Sequence, residues 1–171
     1  MKKYLIILLF AALFTACNED KTVDVSVMPQ ETTIGAQTFG CLVDGWLYVG
    51  GRFSDEYHNL VADRFPSINF KYYPSNETMD VVVKVEESGY IMFTINNPRD
   101  PSDSNLALPL LPCTFTNAKF TQSRNTTEGR DLGDGMVEIT RFDQTEGIIS
   151  GRFESINKKP VSHGQFDVKY K

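Results

Sequence analysis

Histidine is almost missing from this chain, and runs of basic residues are missing altogether. His58 and His163 are the only two histidines. Neither has a Cys or Glu at the spacing that closes a tetrahedral zinc site, so no zinc centre is expected. Lys+Arg number 17 against 22 Asp+Glu, a formal charge of −5. The balance turns more negative still if Lys2 and Lys3 leave with a leader. Phosphate binding is rewarded through a basic face, so nucleic acid is not an expected partner. Reaction motifs are equally scarce. There is no G-x-S-x-G for acyl transfer and no Cys/His setting for a thiol nucleophile. Glycines 40, 45, 50 and 51 fit neither G-x-x-x-x-G-K-[ST] nor G-x-G-x-x-G, and the "WLYV" between them is strand-forming. Asp44-Gly45 is therefore read as a hairpin turn rather than a phosphate loop. No catalytic residue, metal or cofactor is expected. Glycan hydrolysis by two facing carboxylates stays open, because such a pair leaves no linear motif.

What is present is aromatic and β-branched. Aromatics make up 12% of 171 residues, with Phe 12 and Tyr 7, which favours strands over helices. The length suits one domain with a real core. Alternation is the dominant signal. In "TMDVVVKVE", Met79, Val81, Val83 and Val85 share a face; in "QFDVKYK", Phe166, Val168 and Tyr170 oppose Gln165, Asp167 and Lys169. Period two with this composition means half-buried strands. Turn residues at Asp44-Gly45, around Pro74, and at Ser88-Gly89, Glu146-Gly147 and His163-Gly164 are short enough to join antiparallel neighbours. The reading is all-β, an antiparallel meander of about eight or nine strands closing as a sandwich or barrel. The strands are placed at 38–43, 46–53, 68–73, 78–86, 90–96, 113–122, 136–143, 147–156 and 165–170. Two long connections interrupt it, "NNPRDPSDSNLALPLLP" and "SRNTTEGRDLGDG", of the length that is either functional or mobile.

The first residues, "MKKYLIILLFAALFTAC", form a basic start, an apolar run and small residues before Cys17. That is a secretory leader, and its apolar run falls short of the about 20 residues a spanning helix needs. "FTAC" resembles a bacterial lipobox, with Phe14 where Leu is usual. The resemblance implies cleavage before Cys17 and a lipid on its sulfur, hence a membrane partner through the anchor. Glu19 and Asp20 beside it resemble the signal that exports lipoproteins of Bacteroidetes-type bacteria to the cell surface. The domains are then 1–16 leader, 17–37 lipidated Cys and flexible tether, of about 25 Å reach, and 38–171 one β domain. The expected localisation is the outer membrane.

Cys41 and Cys113 remain for a disulfide, closing a loop of about 72 residues. Two separate buried thiols are the other reading. Trp46, Tyr48, Tyr72 and Tyr73 are candidates for an aromatic platform toward a glycan or a surface protein. Trp46 and Tyr48, two apart on a strand, also suit inward packing. Asp100, Asp103 and Asn105, and Asp131 and Asp134, are the acidic loop clusters to weigh for calcium, though neither matches the D-x-[DN]-x-[DN]-G loop.

"TFGCLVDGWLYV", "EITRFDQTEGIISGRFE" and "GQFDVKY" together resemble a family of Bacteroidetes-type lipoproteins of unknown function. Its marks are T-F-G-C-x-V-[ND]-G, then I-T-R-x-D with I-[IV]-S-G-x-F, and a terminal G-x-F-D-V. Arg152 departs from the pattern, where a small polar residue is common. The resemblance implies no chemistry. Gly151 with Phe153, and Gly164 with Phe166, read as architecture: a bare glycine in a strand with an aromatic to cover it. The expected function is a non-enzymatic binding or interaction module. The alternatives are a small-ligand carrier with a barrel cavity and the carboxylate-dependent glycan hydrolase.

Overall fold

Alternation becomes nine strands in a computed structural model that describes residues 26, 28–50, 67–85, 89–101, 112–124, 128–156 and 160–171. They are β1 (Thr38–Val43), β2 (Trp46–Val49), β3 (Ile68–Tyr73), β4 (Thr78–Lys84), β5 (Tyr90–Asn96), β6 (Thr114–Thr121), β7 (Arg130–Asp143), β8 (Ile148–Ser155) and β9 (Val161–Lys169). All form one antiparallel sheet in the order β2-β1-β9-β8-β7-β6-β5-β4-β3. From β3 to β9 it is a meander, and β9 then returns to pair with β1. The sheet curls into a half-barrel, so barrel-like curling, not a sandwich of two sheets, covers its apolar face.

Residues of the expected inward parity fill the concave side. Met79, Val81 and Val83 of β4, Ile91, Phe93 and Ile95 of β5, and Phe166 and Val168 of β9 are all buried. Rings meet across the interior. Phe70 of β3 lies 5.3 Å from Phe166 of β9, and Phe39 of β1 lies 6.4 Å from Phe93 of β5. The edge strands β2 and β3 follow each other end to end. A Cβ on Gly50, just past β2, would sit 2.6 Å from Val83 Cγ1 and 3.2 Å from Ile68 Cγ1. Glycine is needed there because two strand ends approach too closely for a side chain. Alternating direction through the sheet makes β2 and β3 parallel, so Trp46 and Tyr73 lie at opposite ends. We call the end bearing the Asp44-Gly45 turn the lower end.

Bulges supply the curl. Gly40 pairs with Gln165 but Leu42 with Ser162, which gives β9 an extra residue where His163 has φ 51. His163-Gly164 is thus a bulge inside β9, not the expected turn. The strand begins at Val161 because the ladder continues through it. β7 likewise begins at Arg130 rather than 136. Gly133, at φ 70, absorbs the register shift that lets Asp131 and Arg130 pair with Lys119 and Phe120. An extra residue in one strand bends it and deepens the local twist.

Three glycines of the concave face are each covered by a phenylalanine on the neighbouring strand. The cross-strand pairs are Phe115 with Gly135, Gly151 with Phe166, and Phe153 with Gly164. A Cβ on Gly164 would lie 2.6 Å from Phe153 Cδ1, one on Gly151 would lie 3.0 Å from Phe166 Cζ, and one on Gly135 would lie 2.5 Å from Phe115 Cζ. The glycine-then-aromatic spacing therefore arranges reciprocal cover between β8 and β9.

Candidate functional site

Residues 28–37 do not hang free. They run up the convex face of β1, β9, β8 and β7 as a strap, antiparallel to β1. Met28 and Pro29 abut Gly40, where an added Cβ would meet Met28 Sδ at 3.0 Å and Pro29 Cδ at 2.9 Å. Gln165 donates its side-chain amide to the Pro29 carbonyl. Arg152 forks onto Glu31, with Nε at 2.8 Å and Nη2 at 2.6 Å. Arg141 Nη1 donates to the Thr33 carbonyl at 2.7 Å. At the upper end Gln37 Nε2 donates to the Lys169 carbonyl at 2.8 Å. The tether reading of 17–37 is corrected for this part: paired polar groups hold it to the sheet.

Its lock is Asp167. Flanked by inward Phe166 and Val168, Asp167 must point to the convex face, yet the strap leaves it only 1% exposed. A buried carboxylate is costly unless hydrogen-bonded. Five donors meet that need. The amides of Ile34, Gly35 and Ala36 reach it at 3.1, 2.9 and 3.1 Å, Ser150 Oγ at 2.6 Å, and Thr32 Oγ1 also donates. Gly35, at φ 75, turns successive amides toward one anion, the concavity known as a nest. Burial pushes the Asp167 carboxyl up, but hydrogen bonds from Ser150, Thr32, Ala36 and Gly35 outweigh it and leave its pKa below the ordinary value.

Beside the strap the same face carries an open groove of about 750 Å³, lined among others by Met28, Met136, Glu138, Arg152, His163 and Gln165. Met136 is 49% exposed within it. Arg152 spans the groove wall, bonded to Glu31 and 3.8 Å from Glu138. The Arg152 hydrogen bond holds the Glu31 carboxyl below the usual range. A glycosidase acid must instead be held protonated, so this pair does not supply one. Among the described residues no group of three or more His, Cys, Asp and Glu is placed to hold a metal.

The other candidates separate. Cys17, Gly51, His58, Asp103 and Asn105 lie outside the described residues. Asp131 belongs to β7, where its carboxylate accepts the Gly133 amide at 2.8 Å. Trp46 is 70% exposed at the lower end, whereas Tyr48 packs on Phe120 at 5.3 Å. Tyr72 lies at the upper end, edge-on to Phe142 at 5.1 Å, and Tyr73 beneath the Lys71 ammonium at 4.9 Å. They form no common platform, because β2 and β3 extend to opposite ends.

Cys41 and Cys113 are free thiols, one buried and one half-buried. Cys41 pairs with Tyr48, whose ring meets Phe120 near the lower end of β6. Cys113 precedes the upper end of that strand, about 20 Å away along it. A bridge needs Cα atoms within about 7 Å. Burial pushes the Cys41 thiol far up and that of Cys113 up to about 12, so neither offers thiolate at neutral pH. Mobility on non-reducing gels should not change with reductant, and a thiol reagent should label Cys41 only after denaturation. Fast labelling of Cys41 in the native protein would contradict this burial.

Sequence reading missed the pair that matters most here, Asp167 and Arg152. Their signal was in the text: an acid in the terminal G-x-F-D-V and an arginine at an unusual place. What was missing was the strap they bind. No family model, curated protein or solved structure matches the chain.

Proposed function

We propose that this chain is an outer-membrane-anchored lipoprotein whose β domain is a non-enzymatic binding module. The groove between strap and sheet is its recognition surface. The observation that carries this reading is the strap itself. Nine of the ten residues from Met28 to Gln37 are paired with or packed on one face of the sheet, so the strap forms a fixed wall beside the groove. An open groove with an exposed methionine, flanked by charged side chains, suits an extended partner segment, either a peptide of a surface protein or a glycan chain. The filled interior speaks against a carrier. Phe39, Phe93, Phe115 and Phe153 occupy the space a ligand would take, with ring centroids 5.0 to 6.4 Å apart. Glu31, which Arg152 holds ionised, is no candidate for the protonated acid of a hydrolase.

The test uses the full chain displayed on cells, cross-linked to whatever it holds and probed against a glycan array. Met136→Arg changes an exposed side chain and should leave thermal stability within about 0.5 kcal/mol while abolishing capture. If wild type and variant capture the same material, or neither captures any, the groove is not the recognition surface.

A further inference from the structure

Large apolar side chains stay exposed at the lower end of the half-barrel. Trp46 is 70% and Ile156 63% exposed. The topology places them together. Val43 pairs with Trp46 on one side and with Val161 on the other, and the Asp44 amide donates to the Pro160 carbonyl at 2.8 Å. Ile156 follows directly on the lower end of β8, three strand spacings or about 14 Å from Trp46. One indole and one branched aliphatic side chain thus project from a single rim.

The strap tells which way that rim faces. It climbs from Met28, level with Gly40 and His163, to Gly35, beside Ile148 and Lys169. The N-terminal end of the strap, Met28, is therefore the end nearer the lower rim. Gly40 stands three residues above the end of β1, so the rim lies about 10 Å below Met28. Between Met28 and Cys17 no more than about 40 Å of chain is available even when fully extended.

We infer that the Trp46–Ile156 rim rests on the phospholipid surface into which Cys17 is inserted. This rests on the lipid-anchor reading above. Tryptophan suits a boundary with an apolar body and a polar N–H, which is why it concentrates at the headgroup level of bilayers. Two such side chains would not hold a free protein at a membrane. A lipid on Cys17 already keeps them within reach, so a weak contact suffices to set orientation. The groove beside the strap, on the convex face and not at the rim, then stands roughly perpendicular to the bilayer and open to partners.

The single tryptophan of the chain makes its own probe. The full lipidated protein is incorporated into vesicles of phosphatidylethanolamine and phosphatidylglycerol, with and without brominated acyl chains. Bromolipid should quench most of the Trp46 emission, acrylamide should quench it far less than in unlipidated full-length Cys17→Ala protein, and Ile156→Asp should weaken bromolipid quenching while the protein still floats with the vesicles. Co-flotation with emission quenched by acrylamide alone overturns the rim contact and leaves the anchor standing. A blue-shifted emission insensitive to bromolipid, again with co-flotation, means a protein covers the rim and equally overturns it. Failure of the wild-type protein to float overturns the anchor itself and the contact with it.

Discussion

Asp167→Ala should destabilise the domain by about 4 kcal/mol, near the upper end of what one substitution does. The value follows from what the carboxylate leaves behind. Ser150 is fully buried and loses the acceptor at 2.6 Å. The Ile34, Gly35 and Ala36 amides lose their shared acceptor. Each buried donor left unpaired costs about 1–3 kcal/mol. The strap limits the total, because it can leave the sheet and return its amides to water. Two readouts should therefore move together. The melting temperature falls by roughly 15 °C, and a protease begins to cut between Met28 and Gln37 under native conditions. Asp167→Asn keeps one acceptor oxygen and should fall between the two. An Asp167→Ala protein with wild-type melting and an uncut strap would mean that the arginine pairs hold the strap, not the carboxylate.

The same carboxylate sets an acid limit. Its folded pKa lies below the ordinary value, because the hydrogen bonds from Ser150, Thr32, Ala36 and Gly35 overcome the opposing effect of burial. A group depressed in the folded state contributes stability that is complete above its unfolded pKa, about 3.9, and is lost as pH falls through the lower folded value. The stability gap between wild type and Asp167→Asn should thus be full at pH 5 and shrink on acidification below about pH 4. The exposed pairs respond differently. Arg141 with Asp143 and Glu146, and Arg152 with Glu31, are open to solvent and fade with salt. Repeating the comparison in high salt should leave the Asp167 contribution in place.

Period two and turn chemistry placed all nine strands, most ends within two residues, because half-buried strands write their parity into sequence. β2 stops at Val49, short of the expected 53, because Gly50 turns away where the chain meets Val83 and Ile68. Two other boundaries escaped for a shared reason. Glycine at 133 and at 164 reads as a loop signal, yet here each continues a strand, Gly133 through a bulge and Gly164 under the Phe153 ring. Local composition cannot distinguish a glycine that ends a strand from one that makes room for a neighbour. The glycine-and-aromatic reading of 151–153 and 164–166 carried over with its partners exchanged: each glycine is covered by the ring of the adjacent strand, Gly151 by Phe166 and Gly164 by Phe153, not by the ring two residues on in its own strand. The strap escaped because it has neither period nor apolar run. Its order comes from Asp167 and Arg152, more than a hundred residues away. Contacts of that separation between polar groups leave no periodic trace. The aromatic platform failed for the converse reason: Trp46 and Tyr73 look alike in sequence, and only the direction of β2 and β3 sends them to opposite ends.

Phe153→Ala should destabilise by about 4 kcal/mol, and its interaction with Gly164 separates ring cover from mere volume. The Phe153 side chain is 3% exposed and lies 5.0 Å from Phe93, 5.4 Å from Phe39, 5.9 Å from Phe115 and 6.1 Å from Phe166. Truncation leaves a ring-sized void that four stiff neighbours cannot fill, so both transfer and cavity costs apply, together with the ring pairings. Gly164→Ala alone should also destabilise, by about 2 kcal/mol, because its methyl would strike the Phe153 ring at 2.6 Å and also press on the Phe153 carbonyl. In the double variant the ring collision disappears and the methyl partly fills the void, while the carbonyl contact remains. The combined loss should therefore fall short of the sum by about 1–2 kcal/mol, the size typical of residues in direct contact. Strict additivity in chemical denaturation would show that Gly164 is required by the backbone alone, and that the phenylalanine opposite it packs there without covering it.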